Sequence, residues 1–225
     1  MVSAPRRRNV RGQGALLRDE ILSAAIRVID AAQNEAEVSL RSIAREAGIA
    51  APSVYAHFEH RDSVLDAVAE ASWAQVSEEI AEHRTGSKPP RERLFLGCQT
   101  YVSFAERHPL RYALMSQITD TSPAARQALA IVTRGLLACR GDEPQAPPTP
   151  ESDRIAAALS VAVHGVAMLH RTDTPHLWLS SFSTDEILRS LIDAAILQLD
   201  QAGTAPPAKR KSTSGRGRKD RKLGT

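Results

Sequence analysis

"REAGIAAPSVYAHFEHRDSVL", Arg45 to Leu65, sets a glycine, a proline four residues later, and then Tyr55, His57, Phe58 and His60 in quick succession. Aromatic residues make up only 4% of the 225-residue chain, so two within four positions, with two of seven histidines, ask for a reason. Upstream, Ser39 is placed to cap a helix whose inner face is Leu40, Ile43, Ala44 and Ala47. Gly48 ends it and permits a sharp exit. After the turn "GIA" a second short helix is predicted over about Ala51 to Phe58, with Pro52 acceptable in its first turn because no amide partner is needed there. Ala50 holds the cap position but has no side-chain oxygen. Ile49 and Val54 point inward and lock the two helices together.

Two short helices joined by a tight glycine turn form a helix-turn-helix, whose second helix enters the DNA major groove. At about 100° per residue, Ala51, Ser53, Tyr55 and His57 cannot all share the face of Val54. Ala51 and Pro52 are small enough for close approach. Ser53 can bond a base edge or a phosphate. Tyr55, His57 and Arg61 can donate to phosphates, and Ser39 and Arg41, at the start of the preceding helix, are further candidates. For Tyr55 the competing reading is a core residue with a satisfied hydroxyl. For His57 it is a merely exposed ring. Phe58 reads as core and His60 as a loop residue.

Outward from this stretch the periodicity is helical throughout and strand signals are nearly absent. A first helix is expected from about Leu16 to Ala32, with Asn34 as a left-handed stop. Arg61 and Asp62 open a long helix carrying Leu65, Val68, Ala69, Ser72, Trp73, Val76 and Ile80. Further helices are expected at about Arg91–Arg107, behind Pro109, at Pro123–Cys139, from Glu151 to about His170, and at Asp185–Gln201. The fold class is therefore all-α. It divides into a basic arm (1–14), a helix-turn-helix domain (15–61), a helical regulatory and dimerisation domain (62–202) and a basic tail (203–225). Arm and tail read as disordered.

Charge is unevenly spread. The tail Lys209–Lys222 holds eight Lys/Arg and one Asp, and Arg6, Arg7, Arg8 and Arg11 crowd the start. Removing those twelve bases and one acid from 29 and 26 leaves 17 basic against 25 acidic residues in the body. Basic ends on an acidic body suit a polyanion such as nucleic acid. A purely solubilising tail is the rival explanation. Cys98 and Cys139 read as buried thiols of a reducing compartment. No apolar run reaches a membrane span and no signal peptide is evident. Metalloprotease, hydrolase, redox-dithiol and P-loop motifs are absent. His164 and His170 lie six apart, on different helix faces, so no metal site, cofactor or enzymatic activity is expected.

The run "SLRSIAREAGIAAPSVYAHFEHRDSVL", Ser39 to Leu65, resembles the DNA-binding domain of TetR/AcrR-type transcriptional repressors. The matching residues are Ser39, Ile43, Ala44, Ala47, Gly48, Ile49, Val54, Tyr55, His57 and Phe58. The resemblance extends over about Leu16 to Trp73. Ala50 stands where the family has a capping Ser and Arg61 where it has Lys, and "QNEAEV" replaces a Gly-aromatic pair. "VAVHGVAMLH" and "HPLRYALMS" resemble a Trp-His-Gly type regulatory domain, without its Trp. The resemblance implies a cytoplasmic, nucleoid-associated prokaryotic homodimer on a palindromic operator, in which a small, apolar effector tilts the long connector helix. It implies pairing through Ser152–Leu169 and Asp185–Leu199, for which a purely intramolecular bundle is the alternative. His164 could line an effector pocket, and Tyr101, Phe104, Met115, Ile118, Met168 and Trp178 are further candidates, since methionine and aromatic residues suit an adaptable apolar ligand and equally suit a core. For His164 a satisfied core histidine is the alternative. Two other functions stay open: an architectural protein that coats DNA through its basic ends, and an activator.

Overall fold

The computed structural model of the chain describes residues 14–83, 87–117, 123–143, 145–170 and 181–204. Arg6, Arg7, Arg8, Arg11, Ile118, Trp178 and the run from Lys209 onward lie outside the described residues. Among the described residues every element is helical: α1 (Gly14–Ala31), a single 3₁₀ turn (Glu35–Glu37), α2 (Leu40–Glu46), α3 (Ala51–Tyr55), α4 (Arg61–Ala81), α5 (Pro90–Arg107), α6 (Pro109–Gln117), α7 (Pro123–Arg140), α8 (Pro150–His170) and α9 (Thr184–Thr204). Prolines 90, 109, 123 and 150 each open a helix, where the fixed φ is already helical and the missing N–H costs nothing.

Two apolar cores follow from the stripes. Ile21, Ala25 and Ile29 of α1 meet Leu40 and Ile43 of α2, Val54 of α3, Phe58, and Val64, Leu65 and Val68 of α4. The second core joins Val76 of α4 to Leu94, Phe95, Cys98 and Val102 of α5, Leu136 of α7, Ile155, Leu159 and Val163 of α8, and Leu188, Ile192 and Leu199 of α9. Helix α4 therefore serves both. By length and composition α8 is apolar enough to cross a membrane, but it packs against α5, α7 and α9.

Asn34 departs from its expected role. Its backbone is extended (φ −147°, ψ 161°), and its side chain accepts a bond from the Ala36 amide to cap the 3₁₀ turn. Helix α1 has already ended at Ala31, so the Asn oxygen is used as a cap acceptor and no left-handed residue is needed.

Candidate DNA-binding face and effector cavity

The turn between α2 and α3 is fixed by backbone chemistry. Ser39 caps α2 reciprocally: its Oγ accepts from the Ser42 amide at 3.1 Å while Ser42 Oγ accepts from the Ser39 amide at 3.0 Å. At the other end Ile49 N–H donates to the Ala44 carbonyl (3.0 Å) and Gly48 N–H to that of Arg45 (3.2 Å), the paired bonds of a Schellman ending. Gly48 sits at φ +66°, which a side chain would resist. Helix α3 is held by Val54, which is fully buried. Ala50 makes no side-chain cap bond.

The opposite side of α3 faces outward. Tyr55 is 53% exposed, so it is not a core residue. Pro52 and Arg41 are exposed, and Ala51, Ser53 and His57 half-buried. Phe58 is buried, with the Arg18 guanidinium 4.8 Å over its ring. His57 Cε1 is 4.0 Å from where a Cβ on Gly14 would sit, so the chain enters α1 beside α3.

Two residues after α3 act differently from expectation. His60 caps α4: its Nδ1 accepts from the Ser63 amide at 3.1 Å, and Ser63 Oγ accepts from the His60 amide. Arg61, expected on phosphate, turns inward. Its Nε donates to the Val38 carbonyl (2.8 Å), and its Nη2 to the Glu35 carbonyl (2.5 Å) and carboxylate (3.1 Å). The Glu35 carbonyl also accepts from the Val38 amide at 3.1 Å, and the fork geometry of a guanidinium meets both carbonyls at once. Arg61 therefore braces the α1–α2 connection.

A cavity of about 420 Å³ lies between α4, α5, α7 and α8, lined by Trp73, Leu94, Gly97, Cys98, Tyr101, Leu129, Val132, Leu159 and Val163 among others. Of the seven residues expected there, Tyr101 lines it. Phe104 and Met115 are not lining residues but fully packed in the core, and Met168 is 39% exposed. His164 stands behind the wall, its Nδ1 2.6 Å from the Tyr112 hydroxyl. Most of the wall residues missed are apolar positions that look like any core, and the charged ones, Arg93, Arg134, Asp142 and Glu143, look like solvated helix faces and loop. The one available signal was the small residues Gly97 and Gly135, where added Cβ atoms would meet Ile80 at 3.2 Å and Leu94 at 3.0 Å. Burial pushes the Cys98 thiol up to about 12 and that of Cys139 to about 11, and both are free. Among the described residues no group of three His, Cys, Asp or Glu is placed to hold a metal ion.

Helix α6 joins the two cores. Arg111, 2% exposed, donates from Nε to Ser72 Oγ (3.0 Å), from Nη2 to Gln75 Oε1 (2.5 Å) and from Nη1 to Asp30 Oδ2 of α1 (3.4 Å). His108 Nδ1 lies 3.1 Å from the other Asp30 oxygen. On the far side, Val161 of α8 and Leu197 of α9 are 71% and 59% exposed.

Residues 21–68 match the family model described as bacterial regulatory proteins, tetR family, and residues 94–195 the one described as tetracyclin repressor-like, C-terminal domain. The nucleoid occlusion factor SlmA of Vibrio vulnificus (strain YJ016) is 25% identical over 103 residues, 44% of this chain and 50% of that protein, so the chain spans about half the length of the curated relatives it matches. A protein of unknown function from Rhodococcus sp. RHA1 superposes with a TM-score of 0.64 at 22% identity, covering 87% of this chain and 98% of that one. A TetR-like transcriptional regulator from the same organism gives 0.55 at 18% identity, covering 87% and 100%. Apo ActR from Streptomyces coelicolor gives 0.60 at 19% identity, covering 82% and 97%. At these identities the structural likenesses show a shared fold.

Proposed function

We infer that this chain, which belongs to the tetR family of bacterial regulatory proteins and is thus a DNA-binding transcriptional regulator, is a ligand-responsive repressor that binds a palindromic operator as a homodimer. One observation carries the reading: α3 is anchored from behind by fully buried Val54 while its outer side, with Tyr55 half in solvent, stays uncovered. Ala51, Pro52 and Ser53 at its N-terminal end approach the base edges. Tyr55, His57 and Arg41 donate to flanking phosphates, and Ser39 does so only while keeping its cap. Arg61 contributes indirectly, by holding the α1–α2 connection. Helix α1 starts beside His57, and Arg6, Arg7, Arg8 and Arg11, which precede it in the sequence, are assigned to the neighbouring minor groove.

The exposed apolar residues of α8 and α9 supply the pairing face. Pairing sets two copies of α3 about 34–36 Å apart, one helical turn of DNA. The cavity between α4, α5, α7 and α8 is the effector site, and its size fits the usual range of roughly 300–1,000 Å³ for small-molecule sites. This function places the protein in the cytoplasm, on the nucleoid. Selection of bound sequences from random duplex DNA tests the reading. The expected product is a two-fold symmetric motif whose half-sites are one or two turns apart. Binding without a motif would favour the architectural alternative, and a motif lacking symmetry would remove the dimer.

A further inference from the structure

Arg61 is spent inside the fold, so the cation expected just past α3 is missing from its place. From Gly14 to Arg61 the chain has five arginines and no lysine. Arg27 is held by Glu46, its Nε 2.6 Å from the carboxylate. Arg41 and Arg45 stand on α2, and Arg18 on α1. The position of Arg18 relative to the end of α3 is given directly. Its guanidinium carbon lies 4.8 Å from the centroid of the Phe58 ring. Phe58, three residues past Tyr55, is buried in the core, so the charge rests on a rigid seat. Gly14 lies one turn earlier on the same face of α1 and stands beside His57. Two points along one face of α1 thus meet the two consecutive residues that follow α3.

A cation resting on a ring engages the ring's quadrupole and uses none of its five N–H groups. Nothing on α1 takes them: the residues three and four positions away are Gly14, Ala15, Ile21 and Leu22, none of them acidic. Among the described residues Arg18 has no hydrogen bond and no ion pair, and its side chain is open to water. The body of the chain holds 25 acidic against 17 basic residues, so acids are not scarce. An exposed arginine that is seated on a buried aromatic ring, away from any of them, keeps its whole donor set for an anion from outside.

Resting on the reading of α3 as the recognition helix, we propose that Arg18 is a backbone clamp, whose guanidinium binds a DNA phosphate just past the C-terminal end of α3 and takes the part expected of Arg61. A phosphodiester presents two oxygens to the fork of a guanidinium. The Phe58 seat holds the side chain in position beforehand, so less rotamer freedom is lost on binding. Such a contact fixes the register of the protein on the duplex and carries no base information.

The test uses the full chain and two DNAs, the selected operator and a random-sequence duplex of equal length, each titrated over a range of salt. In Arg18→Gln both affinities are expected to fall by about tenfold per copy, the yield of one charged hydrogen bond, with their ratio kept within about twofold. The log–log slope on salt is expected to shrink by about 0.9 per copy, hence about 1.8 for a dimer. Arg18→Lys is expected to keep the wild-type slope. A merely structural ring contact at this exposed site would lower the melting point by about 4 °C at most and leave the slope alone. A second measurement needs no variant: wild-type protein is treated with phenylglyoxal, with and without the operator, and each arginine is followed by mass spectrometry. Arg18 is expected to react several-fold more slowly on DNA, while exposed Arg134 of α7 reacts equally in both. An unchanged slope in Arg18→Gln, a loss confined to the operator, or equal phenylglyoxal rates at Arg18 would overturn the proposal. Should Arg18→Gln not fold, the protection decides alone. Wild-type protein that binds neither DNA removes the recognition helix and the clamp together, whereas wild-type binding matched by Arg18→Gln removes the clamp alone.

Discussion

Replacing Arg61 with alanine separates a brace from a DNA contact. The substitution removes the bonds to the Val38 and Glu35 carbonyls and the ion pair with the Glu35 carboxylate. A bond from a charged donor is worth about 1.5–3 kcal/mol. The Arg61 side chain is 33% exposed, so the lower end applies to each carbonyl. The ion pair with a carboxylate that is 45% exposed adds little, at most about 1 kcal/mol. The loss is then about 3 kcal/mol. For a chain of this size each kcal/mol moves the melting point by about 2–4 °C, so a drop of roughly 6–12 °C is expected without any DNA present. Arg61→Lys keeps the charge, but one ammonium cannot reach both carbonyls as a fork does, so it is expected to recover less than half. Scanning calorimetry of the free protein is the assay. A melting point within about 2 °C of wild type, with weakened operator binding, would refute the brace and restore a phosphate contact.

Ala50→Ser offers a side-chain cap acceptor to the Ser53 amide, which already donates to the Ala50 carbonyl at 2.9 Å and is the one amide in reach because Pro52 has none; about 0.5–1 kcal/mol of stabilisation is expected, seen as a rise of roughly 1–4 °C in the same scan. Deleting residues 203–225 is expected to flatten the log–log dependence of DNA affinity on salt by about 0.9 for each phosphate the tail had covered, while the selected motif stays the same; an unchanged slope makes the tail a bystander. Glu in place of Val161 or Leu197, both largely exposed, is expected to yield folded monomers by sedimentation velocity, and dimers that survive both changes would move the interface elsewhere. Burial raises both thiols above their ordinary 9.0, to about 12 for Cys98 and about 11 for Cys139. Their contribution to stability is thus full below pH 9 and lost as pH climbs through 11–12. The urea midpoint should fall over that window, and a disulfide reagent at pH 8 should label the folded protein far more slowly than the unfolded one.

The helices of this protein could be read in advance because their apolar residues recur at helical spacing and their starts are marked by prolines and a serine cap. The helix-turn-helix was legible for the same reason: Gly48, Ile49 and Val54 are local signals at fixed offsets. What the sequence could not disclose was the spending of polar groups across distance. Arg61 reads as a free cation until the fold brings Val38 and Glu35, 23 and 26 residues away, within reach. His60 reads as a loop residue until its ring nitrogen is seen on the Ser63 amide. The cavity shows the same limit. Tyr101 was named because aromatic and methionine side chains suit an apolar ligand, a rule that named Phe104 and Met115 of the packed core as readily and passed over Trp73. Leu129, Val132, Leu159 and Val163 could not be told from core residues, since a cavity wall and a core are written with the same side chains.

Helix α4 is where the two halves of the molecule become one mechanical object. Its first turns, through Val64, Leu65 and Val68, are built into the core that carries α3, while Trp73 and Ile80 face the cavity. Between them Ser72 receives Arg111, and Arg111 also reaches Asp30 of α1. A buried guanidinium with three partners on two helices cannot slide, because any displacement strands a donor at a cost of about 1–3 kcal/mol. Under the proposed function, a guest that fits the resting cavity equally well with and without movement of α4 changes nothing at the DNA. An effective one must prefer an arrangement in which Trp73 has shifted with the clasp intact. If α4 and α6 keep their grip on Arg111 and Asp30, that shift is carried to α1 and so to α3, and the clasp is what converts a local fit into a change of spacing between recognition helices.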